Sequence, residues 1–221
     1  RRHVRSPVRY SRCVTCSTTH SSPQRRISQS AAISSCGDNM KISELLAEYK
    51  SDKVDPHTYG LAYDEMFSFF DREAPLNILE IGIQKGGSLC AWKDYFPNAK
   101  VTGLDIEDAV KPEYRREDIN YVICDVNKYQ TDEMYDIVID DGSHWLKDVI
   151  HSVALFSKKL KVGGLMIIED VQNDKVWCPA ISTVIHSKLG YNEGYKWSTL
   201  RYNGSKPGLE DDYLFVLLRA S

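Results

Sequence analysis

The sequence predicts an α/β fold: one open, mostly parallel sheet of seven strands with an antiparallel end, covered by helices on both faces. Three features predict it. Short β-rich runs recur from residue 77 onward, separated by stretches of helical spacing. Runs such as Ile137 to Ile139 are apolar at successive positions, as strands covered on both faces must be. The last two candidate strands are separated only by the loop Asn203 to Asp212, which makes them an antiparallel pair.

Taken in order, residues 1–39 are a different material from the rest. They hold seven arginines against one acid, Asp38, a balance of +6, so the remainder carries −9 of the total −3. Rich in Ser and without an apolar period, this stretch does not repay the entropy of ordering and is expected to be a disordered extension. Its composition fits an organellar transit peptide and equally an upstream-translation or cloning artefact, since Met40 opens the first helical pattern. Cys13 and Cys16 have CxxC spacing but no second pair to complete a zinc site. Cys90, Cys124 and Cys178 stand singly in apolar or strand contexts, as buried free thiols of a cytoplasmic protein do.

The folded part, residues 40–221, begins with two helices, marked by Ile42, Leu45, Leu46 and Tyr49, then by Leu61, Met66, Phe67 and Phe70. Strands are expected at Asn77 to Ile83, Lys100 to Asp105, Asn120 to Cys124, Asp136 to Asp140, Gly164 to Glu169, Tyr195 to Arg201 and Tyr213 to Arg219. Helices are expected at Ser88 to Tyr95, Trp145 to Leu160 and Pro179 to Lys188. The longest apolar runs fall far short of the roughly 18 residues that a membrane span needs.

An open sheet of this kind binds its ligand beyond the carboxyl ends of its strands, and those ends are acidic here. The first ends in Glu80-Ile81-Gly82-Ile83-Gln84-Lys85-Gly86-Gly87-Ser88, a glycine-rich turn opening a helix. Such a turn lets backbone approach a ligand and leaves helix amides free for an anion. Its spacing is neither a P-loop nor a clean GxGxxG. The second strand ends in Asp105-Ile106, about the offset at which an acid binds a ribose diol, and the third in Cys124-Asp125-Val126. Singly, each acid is as well explained by a solvated turn or helix cap.

The fourth strand leads into Asp140-Asp141-Gly142-Ser143-His144 and the fifth into Glu169-Asp170. Asp141, Glu169 and Asp170 offer three hard oxygen donors suited to Mg²⁺. Without a cation, that many carboxylates would drive one another's pKa up. His144, three residues beyond Asp141, is placed to take a proton from a hydroxyl acidified by the ion. The alternative for His144 is a first-turn helix residue, and for Glu169-Asp170 a solvated strand end.

ILEIG with its glycine turn, the LD and CDV strand ends and DIVIDDGSH together resemble the class I S-adenosylmethionine-dependent methyltransferases, with their Rossmann-like sheet. The resemblance implies that Glu80, Gly82, Gly86, Gly87 and Ser88 line the methionine side of S-adenosyl-L-methionine. It implies that Asp105 and Ile106 meet the ribose, and that Asp125, Val126 and Asp140 belong to the same cofactor pocket. Within that class the DGSH histidine and an ED pair 28 and 29 residues after the DGSH aspartate resemble the metal-dependent sugar O-methyltransferases of macrolide biosynthesis. That likeness implies Asp141, Glu169 and Asp170 as Mg²⁺ ligands and His144 as general base. Ser51-Asp52-Lys53 with His57, Tyr59 and Tyr63 also resembles that group's SDK-H-Y segment beside the cofactor and substrate.

The expected activity is therefore methyl transfer to a hydroxyl of a sugar or glycosylated small molecule, with Trp145, Trp177, Tyr191, Tyr195, Trp197 and Tyr202 as candidate acceptor-facing aromatics. The alternatives are a catechol-type O-methyltransferase and a non-catalytic S-adenosylmethionine-binding subunit. An oxidoreductase lacks a 2-His-1-carboxylate set at helpful spacing. The acidic body offers little to nucleic acid, no membrane partner is expected, and a homo-oligomer is compatible with the sequence.

Overall fold

The computed structural model describes residues 40–189, 194–201 and 213–220. The extension 1–39, Tyr191, Tyr202 and the loop 203–212 lie outside the described residues. Elements follow in the order α1 (Ile42–Glu48), α2 (Gly60–Phe67), β1 (Asn77–Ile81), α3 (Gly87–Tyr95), β2 (Lys100–Asp105), β3 (Ile119–Ile123), β4 (Tyr135–Asp140), α4 (Leu146–Phe156), β5 (Leu160–Ile168), α5 (Asp174–Leu189), β6 (Tyr195–Arg201) and β7 (Tyr213–Arg219).

The seven strands form one sheet in the order β3-β2-β1-β4-β5-β7-β6. β1 to β5 are mutually parallel, and β7 lies antiparallel between β5 and β6. The chain grows outward from β1 through β2 to β3, then returns to β4 on the other side of β1. The order therefore reverses between β1 and β4, where a crevice opens at the carboxyl ends of the strands.

Side-chain alternation explains the two covered faces. Ile78, Val101, Ile137, Ile139 and Ile167 enter the core beneath α1, α2 and α3. Leu79, Leu104, Val138, Met166 and Ile168 enter the core beneath α4 and α5. Every second residue of a strand serves one layer, which is why these strands are apolar throughout.

Several expected boundaries move. β1 stops at Ile81 because Gly82 turns to φ +80. β5 starts four residues before Gly164, pairing Leu160 with Tyr135 before the register shifts. α4 ends at Phe156, and residues 157–159 tighten into a 3₁₀ turn. α5 begins at Asp174 and carries Pro179 inside it, because buried Trp177 and Cys178 extend its apolar face upstream of the proline. Leu61 is 64% exposed, so α2 buries Ala62 and Tyr63 beside the expected Met66 and Phe67.

Candidate active site

The glycine turn is held in place by Asp105. Its Oδ2 accepts from the Ile83 amide at 2.8 Å and the Gln84 amide at 3.2 Å, and its Oδ1 from the Glu107 amide at 3.1 Å. Gly82 and Gly86 are both left-handed, at φ +80 and +87. A Cβ on Gly82 would stand 2.0 Å from the Asp141 carbonyl oxygen. Only glycine lets β1's exit run directly against the start of the DGSH segment. Beside the turn lies an open cleft lined by Ser51, Asp52, Ile83, Gln84, Gly86, Gly87 and Tyr114, among others.

Glu80 and Ser88 meet each other. Ser88 donates to Glu80 Oε2 at 2.9 Å, as does the Trp92 indole at 2.8 Å, and the Glu80 side chain is fully buried. Burial pushes the Glu80 carboxyl up. Ile106 is 67% exposed, an apolar surface beside the second strand end. Asp125 Oδ1 accepts from the Asn127 amide at 2.9 Å, which lowers its pKa, and Val126 packs against the second core. Asp140 is buried, which pushes its carboxyl up to about 6, and its Oδ2 has no hydrogen-bond partner.

The acids beyond β4 and β5 form two layers. The outer layer is Asp141, His144 and Asp170, whose ligating atoms lie within 4.8 Å of one another. His144 Nδ1 is 3.1 Å from Asp170 Oδ2, and His144 Nε2 is 3.7 Å from Asp141 Oδ1. The hydrogen bond to Asp170 raises the His144 pKa. Although burial opposes it, His144 and Tyr59 together lower the Asp170 carboxyl. His144 and Asp170 both adopt left-handed backbone, at φ +54 and +53, as do Lys50 and Gln84 at the cleft. Strain of this kind on non-glycine residues collects at functional sites.

The inner layer is Lys53, Glu80 and Glu169, each at most 2% exposed. Lys53 Nζ is 2.6 Å from Asp141 Oδ2, 2.8 Å from Glu169 Oε1 and 3.2 Å from Glu80 Oε1. Burial alone would lower this ammonium's pKa, yet the three carboxylates push it well above the usual lysine range. Tyr63 donates to Glu169 Oε1, and burial pushes the Glu169 carboxyl well up.

Glu169, expected beside Asp141 and Asp170 as a metal ligand, therefore stands outside the outer group. Its strand-end position turns it inward to Lys53 and Tyr63, while His144 takes the third place. Lys53 itself was visible only as part of the SDK segment; nothing in local spacing shows a lysine reaching a carboxylate 116 residues away. His57 Nδ1 also approaches Asp170 Oδ1, at 3.6 Å, so two histidines flank one carboxylate across a separation that spacing does not disclose. Among the expected aromatics, Trp145 is 66% exposed next to His144, whereas Trp177 is buried and Trp197 stacks on Phe215.

No protein-family profile matches the chain. It is 34% identical over 145 residues to the 8-demethyl-8-alpha-L-rhamnosyl tetracenomycin-C 2'-O-methyltransferase of Streptomyces olivaceus, a match covering 59% of this chain and 38% of that protein. It is 32% identical over 158 residues to the Mycinamicin VI 2''-O-methyltransferase of Micromonospora griseorubida, covering 64% and 39%. The chain thus spans less than half the length of the curated relatives it matches. Among solved structures, the MycE methyltransferase from the mycinamycin biosynthetic pathway, in complex with Mg and SAH, superposes with a TM-score of 0.63 and 27% identity, covering 84% of this chain and 56% of that one. Sheet order, strand-end acids and these likenesses agree: the chain has the fold of the class I S-adenosylmethionine-dependent methyltransferases, of the mycinamicin type.

Proposed function

We propose that the chain is a metal-dependent O-methyltransferase, moving the methyl group of S-adenosylmethionine to a hydroxyl of a sugar or glycosylated small molecule. The observation that carries the reading is the convergence of Asp141, His144 and Asp170 beside a glycine turn at the sheet's reversal point. The residues fit both implied groups. Two left-handed glycines and the adjoining cleft suit a nucleoside cofactor, and the oxygens of two neighbouring carboxylates suit a hard divalent ion. Asp141 and Asp170 would hold Mg²⁺, with Glu169 behind them on Lys53. When bound, the sulfonium cofactor supplies the reactive methyl carbon and the ion makes the acceptor hydroxyl more acidic.

The protein's own part is alignment and proton removal. Asp105 locks the turn that lies against the cofactor's cleft. Asp170 holds the His144 ring at Nδ1, leaving Nε2 to take the hydroxyl proton, and its charge steadies the resulting imidazolium. Trp145, exposed beside the base, offers a flat face for the apolar side of a sugar ring. A body of net −9 supports a small-molecule acceptor over nucleic acid.

The test is methyl transfer from labelled S-adenosylmethionine to a panel of glycosides, with Mg²⁺ and with chelator. Transfer that needs the ion and falls at least 100-fold in His144→Ala, with S-adenosylhomocysteine binding retained, is the expected result. Undiminished turnover in that variant removes His144 as the base, and equal activity in chelator removes the metal.

A further inference from the structure

Lys53 enters the acid rim from below, on the connection between α1 and α2, and its side chain is 1% exposed. Its three carboxylates stand at Glu80 in β1, Asp141 after β4 and Glu169 after β5, so one ammonium ties together three adjacent strands. Asp141 belongs to both layers. Its Oδ2 faces inward to Lys53, and its Oδ1 faces His144.

We propose that Lys53 is a positioning residue, the resident cation of this rim, which keeps Asp141 and Glu169 charge-balanced and turned as they are before any divalent ion binds. The ion then meets an outer group that is already organised. An ammonium suits the task because its three donors diverge toward three oxygens, whereas the planar fork of arginine matches one carboxylate at a time. Taking the lysine away leaves three carboxylates facing one another in the interior, where an uncompensated charge is strongly destabilising. The proposal shares its site with the reading above and rests on it only for the divalent ion. The lysine's own role is tested without metal.

The experiment is urea unfolding of the full chain, in chelator and in saturating Mg²⁺, for the wild type, Lys53→Met, and Lys53→Met combined with Glu169→Gln. In chelator, Lys53→Met should lower the midpoint by about 1.5 M. Adding Glu169→Gln should raise it again, because a neutral amide replaces a buried carboxyl that has lost its cation. If lysine merely filled space, the second substitution would add its own loss. Mg²⁺ should raise the Lys53→Met midpoint more than the wild-type midpoint, since it replaces missing positive charge. Should Lys53→Met fail to fold in chelator, recovery of cooperative unfolding in the double variant supports the proposal. A double variant no more stable than Lys53→Met, or a Lys53→Met midpoint equal to wild type in chelator, overturns it. Mg²⁺ leaving every protein unmoved, while the chelator arm behaves as expected, supports Lys53's role and counts against the divalent-ion reading.

Discussion

Replacing Gly82 by alanine separates two costs that usually come together. An L-residue held in left-handed backbone costs about 1–2 kcal/mol, and Gly82 sits at φ +80. The added Cβ would also lie 2.0 Å from the Asp141 carbonyl oxygen, 2.6 Å from its carbon and 2.8 Å from the Gly142 Cα. All three are backbone atoms, so relief requires moving the β4 exit by about 1 Å to reach the short end of normal contact. Forced overpacking of that kind costs a further ~3 kcal/mol. Gly163 supplies the control, because it has φ +83 with nothing within 4 Å of the added Cβ. Alanine there should cost about 1 kcal/mol, part of the strain being offset by a less flexible unfolded chain. Urea unfolding of both variants should therefore place Gly82→Ala about 3 kcal/mol below Gly163→Ala. Because the displaced backbone carries Asp141, S-adenosylhomocysteine affinity should fall only in the first. Two variants within 1 kcal/mol of each other would refute the close approach of β1 and the DGSH segment.

Three further outcomes follow from named contacts. Asp105→Ala deprives three backbone amides of their acceptor, so stability should drop by about 1–2 kcal/mol and cofactor affinity roughly tenfold, readable by unfolding and calorimetry. Asp170→Asn removes a carboxylate from the outer group, and its Mg²⁺ affinity by calorimetry should fall at least tenfold; an unchanged value would take Asp170 out of any ion site. The Arg116 hydrogen bonds lower the Asp118 carboxyl in the folded state, so its contribution exists above the ordinary carboxylate range and is lost as pH falls. The pair is partly exposed, so Asp118→Asn should cost a few tenths of a kcal/mol at pH 7, with the melting difference shrinking as pH falls below the ordinary carboxylate range. A difference that does not shrink as the carboxyl is protonated would assign the loss to packing.

The sheet was legible because its signals are local. Continuous apolar runs such as Ile137 to Ile139 state both that a strand exists and that both faces are covered, and β2, β6 and β7 appear at the expected residues. Boundaries that depend on remote packing were less legible. Pro179 reads as a helix start, yet α5 begins five residues earlier, because Trp177 and Cys178 find an apolar surface that only the folded sheet provides. The same distinction runs through the rim. Asp141, His144 and Asp170 were named from motif spacing and are found together, since β4 and β5 are neighbours.

By itself, then, the sequence determined the α/β class, the acidic strand ends and the glycine turn, because hydrophobic period, chemical type and turn propensity are properties of adjacent residues. Tertiary structure alone decided which acids share a cation. Lys53 meets Glu80, Asp141 and Glu169, and Glu169 turns inward while His144 joins Asp141 and Asp170. Charges in a folded rim interact over ångströms of space, whatever their separation along the chain.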